Sequence, residues 1–284
     1  MNNASSRMLI AVGAAWLAAG PALAQNEEPA SDIVVTGDRE REERIVAEMA
    51  RGLTLNPPVD KPVARFAEPV CIGAFGVKRA PGAAFVDRMS ANAREAGARV
   101  GGADCRPNVL VGFVGNAASD IRRVRKEQPG VFVSIPRWEI ERALKEPGPV
   151  KVLSSAETRS DSGEAIDPDN PTNKLLSGSR ISLPVQRALT AVVVLIDRRS
   201  TSGMTAQQLA DYATLRALAA TRPVEEGTTA ARETILSLFG DRDPPDGLTD
   251  FDRAYLRALY NGPANARAGT LASEVAREYR RGRP

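Results

Sequence analysis

The sequence predicts an α+β fold: an N-terminal sheet region of βαβ type, a helical C-terminal half, and a disordered N-terminal tether. Three observations carry this. Apolar, β-rich runs, "VCIGAFGV" (70–77), "NVLVGFV" (108–114) and "QRALTAVVVLID" (186–197), all fall before residue 198. Beyond it, apolar residues recur at helical spacing. Ahead of residue 70 the chain is polar and then proline-rich, with Pro57, Pro58, Pro62 and Pro69. Strands first and helices last is the α+β order.

Taken in order, residues 1–24 read as an export signal. Arg7 precedes an apolar stretch from Met8 to Ala19, and Ala22-Leu23-Ala24 supplies small residues for cleavage. The stretch is short for a bilayer span. No later segment is apolar enough to cross a membrane, and no Cys follows the stretch to take a lipid. The expected location is periplasmic. Residues 25–69 are expected to be a tether. In it Ile33–Thr36 is a lone strand-like run ended by Gly37. Glu40–Gly52 is a helix, with Ile45, Met49 and Leu53 at i, i+4 and i+8. Thr54–Pro69 is an extended linker.

A single domain is expected over 70–284, sheet-rich over 70–197 and helical over 198–284. Strand 70–77, helix Pro81–Gly97 and strand 108–114 form a βαβ unit. A short helix follows, Ser119–Glu127, with Ser119 as its cap. "GVFVSIP" (130–136) is expected as a strand, Arg137–Glu146 as a helix before Pro147, and Val150–Ser155 as a strand. Glu157–Ser179 is a long polar excursion. Gln186–Asp197, the most apolar strand, is expected to be central. Helices then span Thr205–Ala220, Ala230–Phe239, Leu248–Tyr260 and Thr270–Arg281. The third opens with a capping box from Thr249 to Asp252.

Composition excludes several chemistries. There is no histidine in the 284 residues, so His-based zinc sites, Ser–His–Asp catalysis and imidazole proton shuttling are ruled out. Basic and acidic residues number 38 and 35 and aromatics are 5%, which gives no reason to expect nucleic-acid binding. No phosphate-loop or dinucleotide fingerprint occurs, and no cofactor is expected. Cys71 and Cys105 are expected to form a structural disulfide in an oxidising compartment. Its loop closure is worth about 3–4 kcal/mol.

Two resemblances bear on function. "DIVVTG" (Asp32, Ile33, Val34, Val35, Thr36, Gly37) resembles the TonB box of outer-membrane TonB-dependent receptors. The resemblance implies a partner, the TonB C-terminal domain, whose sheet would gain an edge strand from these six residues. The chain has no room for the receptor's plug and barrel. From about Pro69 to Tyr260 the chain also resembles an uncharacterised group of exported bacterial proteins, some with a zinc-peptidase-like layout. That resemblance would place metal ligands on the helix Met204–Ala219. The helix offers Gln207, Gln208, Asp211 and Tyr212 and no His, so the implied metal site is lost and no metal is expected.

Weaker candidates remain. "DSG" (Asp161–Gly163) echoes the aspartic-peptidase triplet, but Arg159 and Ser160 stand where that family has apolar residues. Asp161, Glu164, Asp167, Asp169 and Asn170 could offer oxygen ligands to calcium without the EF-hand spacing. Asp241, Asp243 and Asp246 raise the same question. The basic runs Arg122–Lys126 and Arg277–Pro284 read as solvated faces. The sequence therefore supports an exported, non-catalytic interaction protein with unknown catalytic residues. The alternatives are a carboxylate hydrolase (peptidase or glycosidase) using Asp161, Asp197 or Asp211, and a degenerate, metal-free peptidase-like binding protein.

Overall fold

Alternation along one strand decides the architecture. The computed structural model describes residues 31–55, 61–160, 162–166, 183–219, 221–224, 233–240 and 243–283. Its elements are α1 Ser31–Leu53, β1 Arg65–Phe66, β2 Ile72–Phe75, α2 Arg79–Glu95, β3 Val109–Val114, α3 Ala117–Glu127, α4 Arg137–Lys145, β4 Val150–Ser160, β5 Val185–Asp197, α5 Ala206–Leu218, α6 Asp250–Asn261 and α7 Ala268–Arg281. In β5, Val192, Val194 and Ile196 enter a large core. Val193 and Leu195 face a smaller one on the opposite side. Successive side chains of a strand point to opposite faces, so a strand apolar at every position is covered on both.

The fold is α+β, as expected, and β5 is central. It pairs in parallel with β3 and with the short β1, and antiparallel with β4; β2 pairs in parallel with β3. The expected βαβ unit is β2–α2–β3. The large core gathers α1, α2, α5, α6 and α7 on one face of the sheet. The small core seats α3 and α4 on the other, through Ile121, Ile140 and Leu153. Cys71 and Cys105 are disulfide-bonded across 34 positions. Among the described residues, no helix is long and apolar enough to cross a membrane.

Several local expectations are corrected. Ile33–Thr36 is not a strand: it lies in the first turns of α1. β-Branched residues cost a helix only a few tenths of a kcal/mol each, and extending an existing helix is far cheaper than nucleating one. The polar run behind them, with an Arg44–Glu40 pair one turn apart, sustains the helix. Thr54–Pro69 is not wholly a linker. Phe66 is buried in β1, Val63 and Ala64 are buried beside it, and Thr54 bridges Thr221. The compact unit begins at Arg39 and runs to the C-terminus.

Residues 130–136 form no strand. A 3₁₀ turn spans Pro129–Phe132, and Val133 is 88% exposed. Both sides of β5 are already taken, and α4 lies against the outer edge of β4, so the positions beside the central strands are filled. The cap of α3 is Asn116, whose side chain accepts from the Ser119 amide. The polar excursion starts later than expected, because Glu157–Ser160 continue β4 against β5. The described part of the helix expected over 230–239 is a 3₁₀ turn at Ile235–Ser237. The Asp252 carboxylate draws it in, accepting from the Ile235 amide at 2.8 Å.

Candidate functional site

Where β4 forms the edge of the sheet, its outward backbone groups need partners. α4 supplies them. The Arg142 Nη2 group donates to the Val152 carbonyl at 3.0 Å, and the Ser154 hydroxyl donates to Glu139. The same arginine holds Glu139 with two hydrogen bonds, at 3.0 and 2.8 Å, and Glu146 with a third at 2.9 Å. Glu146 in turn accepts from Arg216, which comes from the buried helix α5. A chain of charges, Ser154–Glu139–Arg142–Glu146–Arg216, thus runs from the sheet edge into the interior. Burial pushes the Glu139 carboxyl up, but Arg142 and Ser154 more than offset it and leave it below the ordinary carboxylate range. The Lys151 ammonium, which donates to the Glu146 carbonyl, is lowered by burial, with Glu146 and Asp197 opposing.

A cavity of about 150 Å³ opens beside this chain, walled by Arg142, Arg187, Arg216, Glu139, Ser154 and Thr221 among apolar neighbours. Its polar wall is incompletely paired. The Arg216 side chain is fully buried and closed to solvent; its guanidinium interacts with the Tyr212 phenol, but its Nε and Nη1 atoms make no hydrogen bond of normal geometry among the described residues, and neither does the Thr221 hydroxyl. Arg187, on β5, is half-buried, and its pKa is lowered by burial with only the Glu139 charge opposing. Buried polar groups without partners cost about 1–3 kcal/mol each. A fold that tolerates them at one point marks that point as special. Three arginines (Arg142, Arg187, Arg216) meet two carboxylates (Glu139, Glu146) at this wall. One positive charge is left over. The arrangement can receive an anion.

Apart from Tyr212, whose phenol interacts with Arg216, the residues singled out from the sequence lie elsewhere. Asp211 accepts from Arg88 Nε at 2.7 Å, Arg88 Nη2 at 2.8 Å, Asn92 Nδ2 at 2.6 Å and the Leu248 amide at 3.0 Å. Burial raises its pKa and these donors more than reverse it, to a net lowering. It ties α2, α5 and the entry to α6 together. The backbone passes close at Gly247, where a Cβ would lie 2.5 Å from the Asp211 carboxylate. Gln208 closes a capping box with Thr205, and Gln207 donates to the Asp246 carbonyl. Tyr212 meets Phe239 edge-on at 5.0 Å. Asp197 accepts from the Ala117 amide and so completes the first turn of α3. None of these is brought together with a second free carboxylate.

Glu164 sits in a tight turn, its carbonyl accepting from the Ser160 amide. Asp161, Asp167, Asp169, Asn170 and Asp241 lie outside the described residues. Among the described residues no group of three or more His, Cys, Asp or Glu is placed to hold a metal. Asp32–Gly37 is helical, as part of α1.

The arginine cavity was not foreseen from the sequence, although one signal was present. From Leu209 to Leu218 the helix is apolar except for Asp211, Thr214 and Arg216. A charge in so apolar a helix must find a buried partner. No family model, curated protein or solved structure matches the chain.

Proposed function

We propose that this chain is an exported, non-catalytic binding protein whose ligand places an anionic group in the cavity beside Arg216. The observation that carries this is the cationic wall of the cavity, where half-buried Arg187 has only the Glu139 charge to oppose its burial and stands beside Arg142 and the fully buried Arg216. Buried ion pairs are weak evidence for stability, because desolvation consumes most of the attraction. A charge network that also leaves a positive charge over is better explained by something it binds. Export rests on the signal-like pattern of residues 1–24, and the Cys71–Cys105 disulfide is compatible with an oxidising compartment.

The test is a set of small anions (formate, acetate, butyrate, phosphate, sulfate) titrated into the full chain and followed by melting temperature. A ligand at a hundred times its dissociation constant stabilises by about 2.7 kcal/mol. At least one anion should raise the midpoint, and Arg187→Gln should abolish the rise while leaving the unliganded midpoint near wild type. If none stabilises, or Arg187→Gln and Arg216→Gln respond as wild type does, the proposal is wrong.

A contact between Asp32–Gly37 and the TonB C-terminal domain is a second proposal. It is favoured by the position of these residues ahead of the compact unit, which begins at Arg39. The contact requires the helical segment to become extended.

A further inference from the structure

The cavity beside Arg216 adjoins a second, larger space. A groove of about 1100 Å³ shares Leu55, Trp138 and Arg142 with it as common wall. The groove is mainly apolar. Trp138 is 57% exposed at the junction, and the Tyr212–Phe239 edge pair and Leu236 contribute to the wall. An exposed indole at the mouth of a charged cavity is a large apolar surface that a ligand can cover. Resting on the binding reading above, we propose that the ligand is a fatty acid: its carboxylate enters the cavity beside Arg187 and Arg216, and its alkyl chain leaves past Trp138 into the groove.

Three features select this occupant. The single surplus positive charge suits a monoanionic carboxylate better than a phosphate dianion, which would bring one negative charge too many. The small cavity matches the size at which an interior void holds a benzene-sized group. It therefore takes the head of such a molecule and leaves the rest outside. Pro147, Pro149 and Pro223 line the groove. Proline has no backbone N–H, so three of the wall's backbone positions offer a peptide no donor. A hydrocarbon chain needs no such donors.

The experiment titrates the full chain with butyrate, hexanoate, octanoate and decanoate below their micellar concentrations, alongside decanol and a tripeptide acid of apolar residues, by calorimetry. Affinity should rise with chain length, by up to about fourfold per methylene buried. Decanol should bind at least tenfold more weakly than decanoate. Trp138→Ala, at an exposed position, should weaken decanoate by about tenfold and butyrate by much less, whereas Arg187→Gln should weaken both alike. If butyrate and decanoate bind equally and both need Arg187, the anion site stands and the fatty-acid assignment falls. A tripeptide acid that binds more tightly than decanoate also overturns it. If no carboxylate binds, the assignment falls. If the other anions fail as well, the anion site falls with it.

Discussion

At the residue scale, Asp252 shows how one side chain can set a pH dependence. It is fully buried at the first turn of α6, and burial pushes its carboxyl up to about 6. Hydrogen bonds from the Thr234 hydroxyl at 2.5 Å, the Ile235 amide at 2.8 Å and the Thr249 amide at 3.0 Å pull the other way without cancelling it. In the unfolded chain the group titrates near 3.8. The fold therefore favours the protonated acid. This contribution is fully present below about pH 3.8, is lost as pH rises, and is gone above about pH 6, a change of about 3 kcal/mol. Denaturant unfolding of wild type and Asp252→Asn, at pH 3.5 and pH 7, should show it. Wild type should lose about 3 kcal/mol more than the variant over that interval, other groups cancelling in the difference. Equal losses would mean that the three donors keep Asp252 ionised throughout. The capping box that positions Asp252 was legible in the sequence, since Thr249 and Asp252 stand at the right spacing before an apolar repeat. Its partner Thr234 was not, because nothing in a sequence pairs residues 18 positions apart.

At the element scale, long periodicities in the sequence specify their elements and short ones do not. α2, β3, β5, α5, α6 and α7 all lie where the apolar spacing put them. The two expected strands that failed, Ile33–Thr36 and residues 130–136, are short β-branched runs. Such a run reports a willingness to extend, and a neighbouring strand decides whether it does. At 33–36 the adjoining helix decides instead. The TonB proposal makes this conflict measurable. The six residues Asp32–Gly37 would have to exchange helical hydrogen bonds for those of a partner's sheet. Deleting them should abolish capture by purified TonB C-terminal domain while shifting the melting temperature by less than about 2 °C, since they precede the compact unit that begins at Arg39. Undiminished capture, or no capture by wild type, would reject the contact.

At the scale of the whole molecule, the boundary between tether and domain is where sequence and structure differ most. Residues 25–69 looked like a tether because they are polar and proline-rich. The structure draws the compact unit back to Arg39. The reason is that α1 has only a narrow apolar face. Val46, Ala47, Ala50 and Leu53 are buried in the large core, while the charged residues around them mask the stripe in any average over the segment. Thr54 then fastens the end of the helix: its hydroxyl and that of Tyr255 lie 2.7 Å apart, and the Leu53 carbonyl accepts from the Arg222 amide. β1, with Phe66 buried, continues the attachment into the sheet. Burying Val46 and Leu53 is worth about 1.5–3 kcal/mol each, and the hydrogen bonds at Thr54 add about 1 kcal/mol apiece. Together these approach the 5–15 kcal/mol that keeps an ordinary domain folded. Two truncations separate the views. A chain starting at Arg39 should unfold within about 0.5 kcal/mol of the full chain. A chain starting at Leu55 should lose about 5 kcal/mol or more and bind the apolar dye of loosely packed states at neutral pH. If the second chain is as stable as the first, α1 is a tether after all, and the core closes without it.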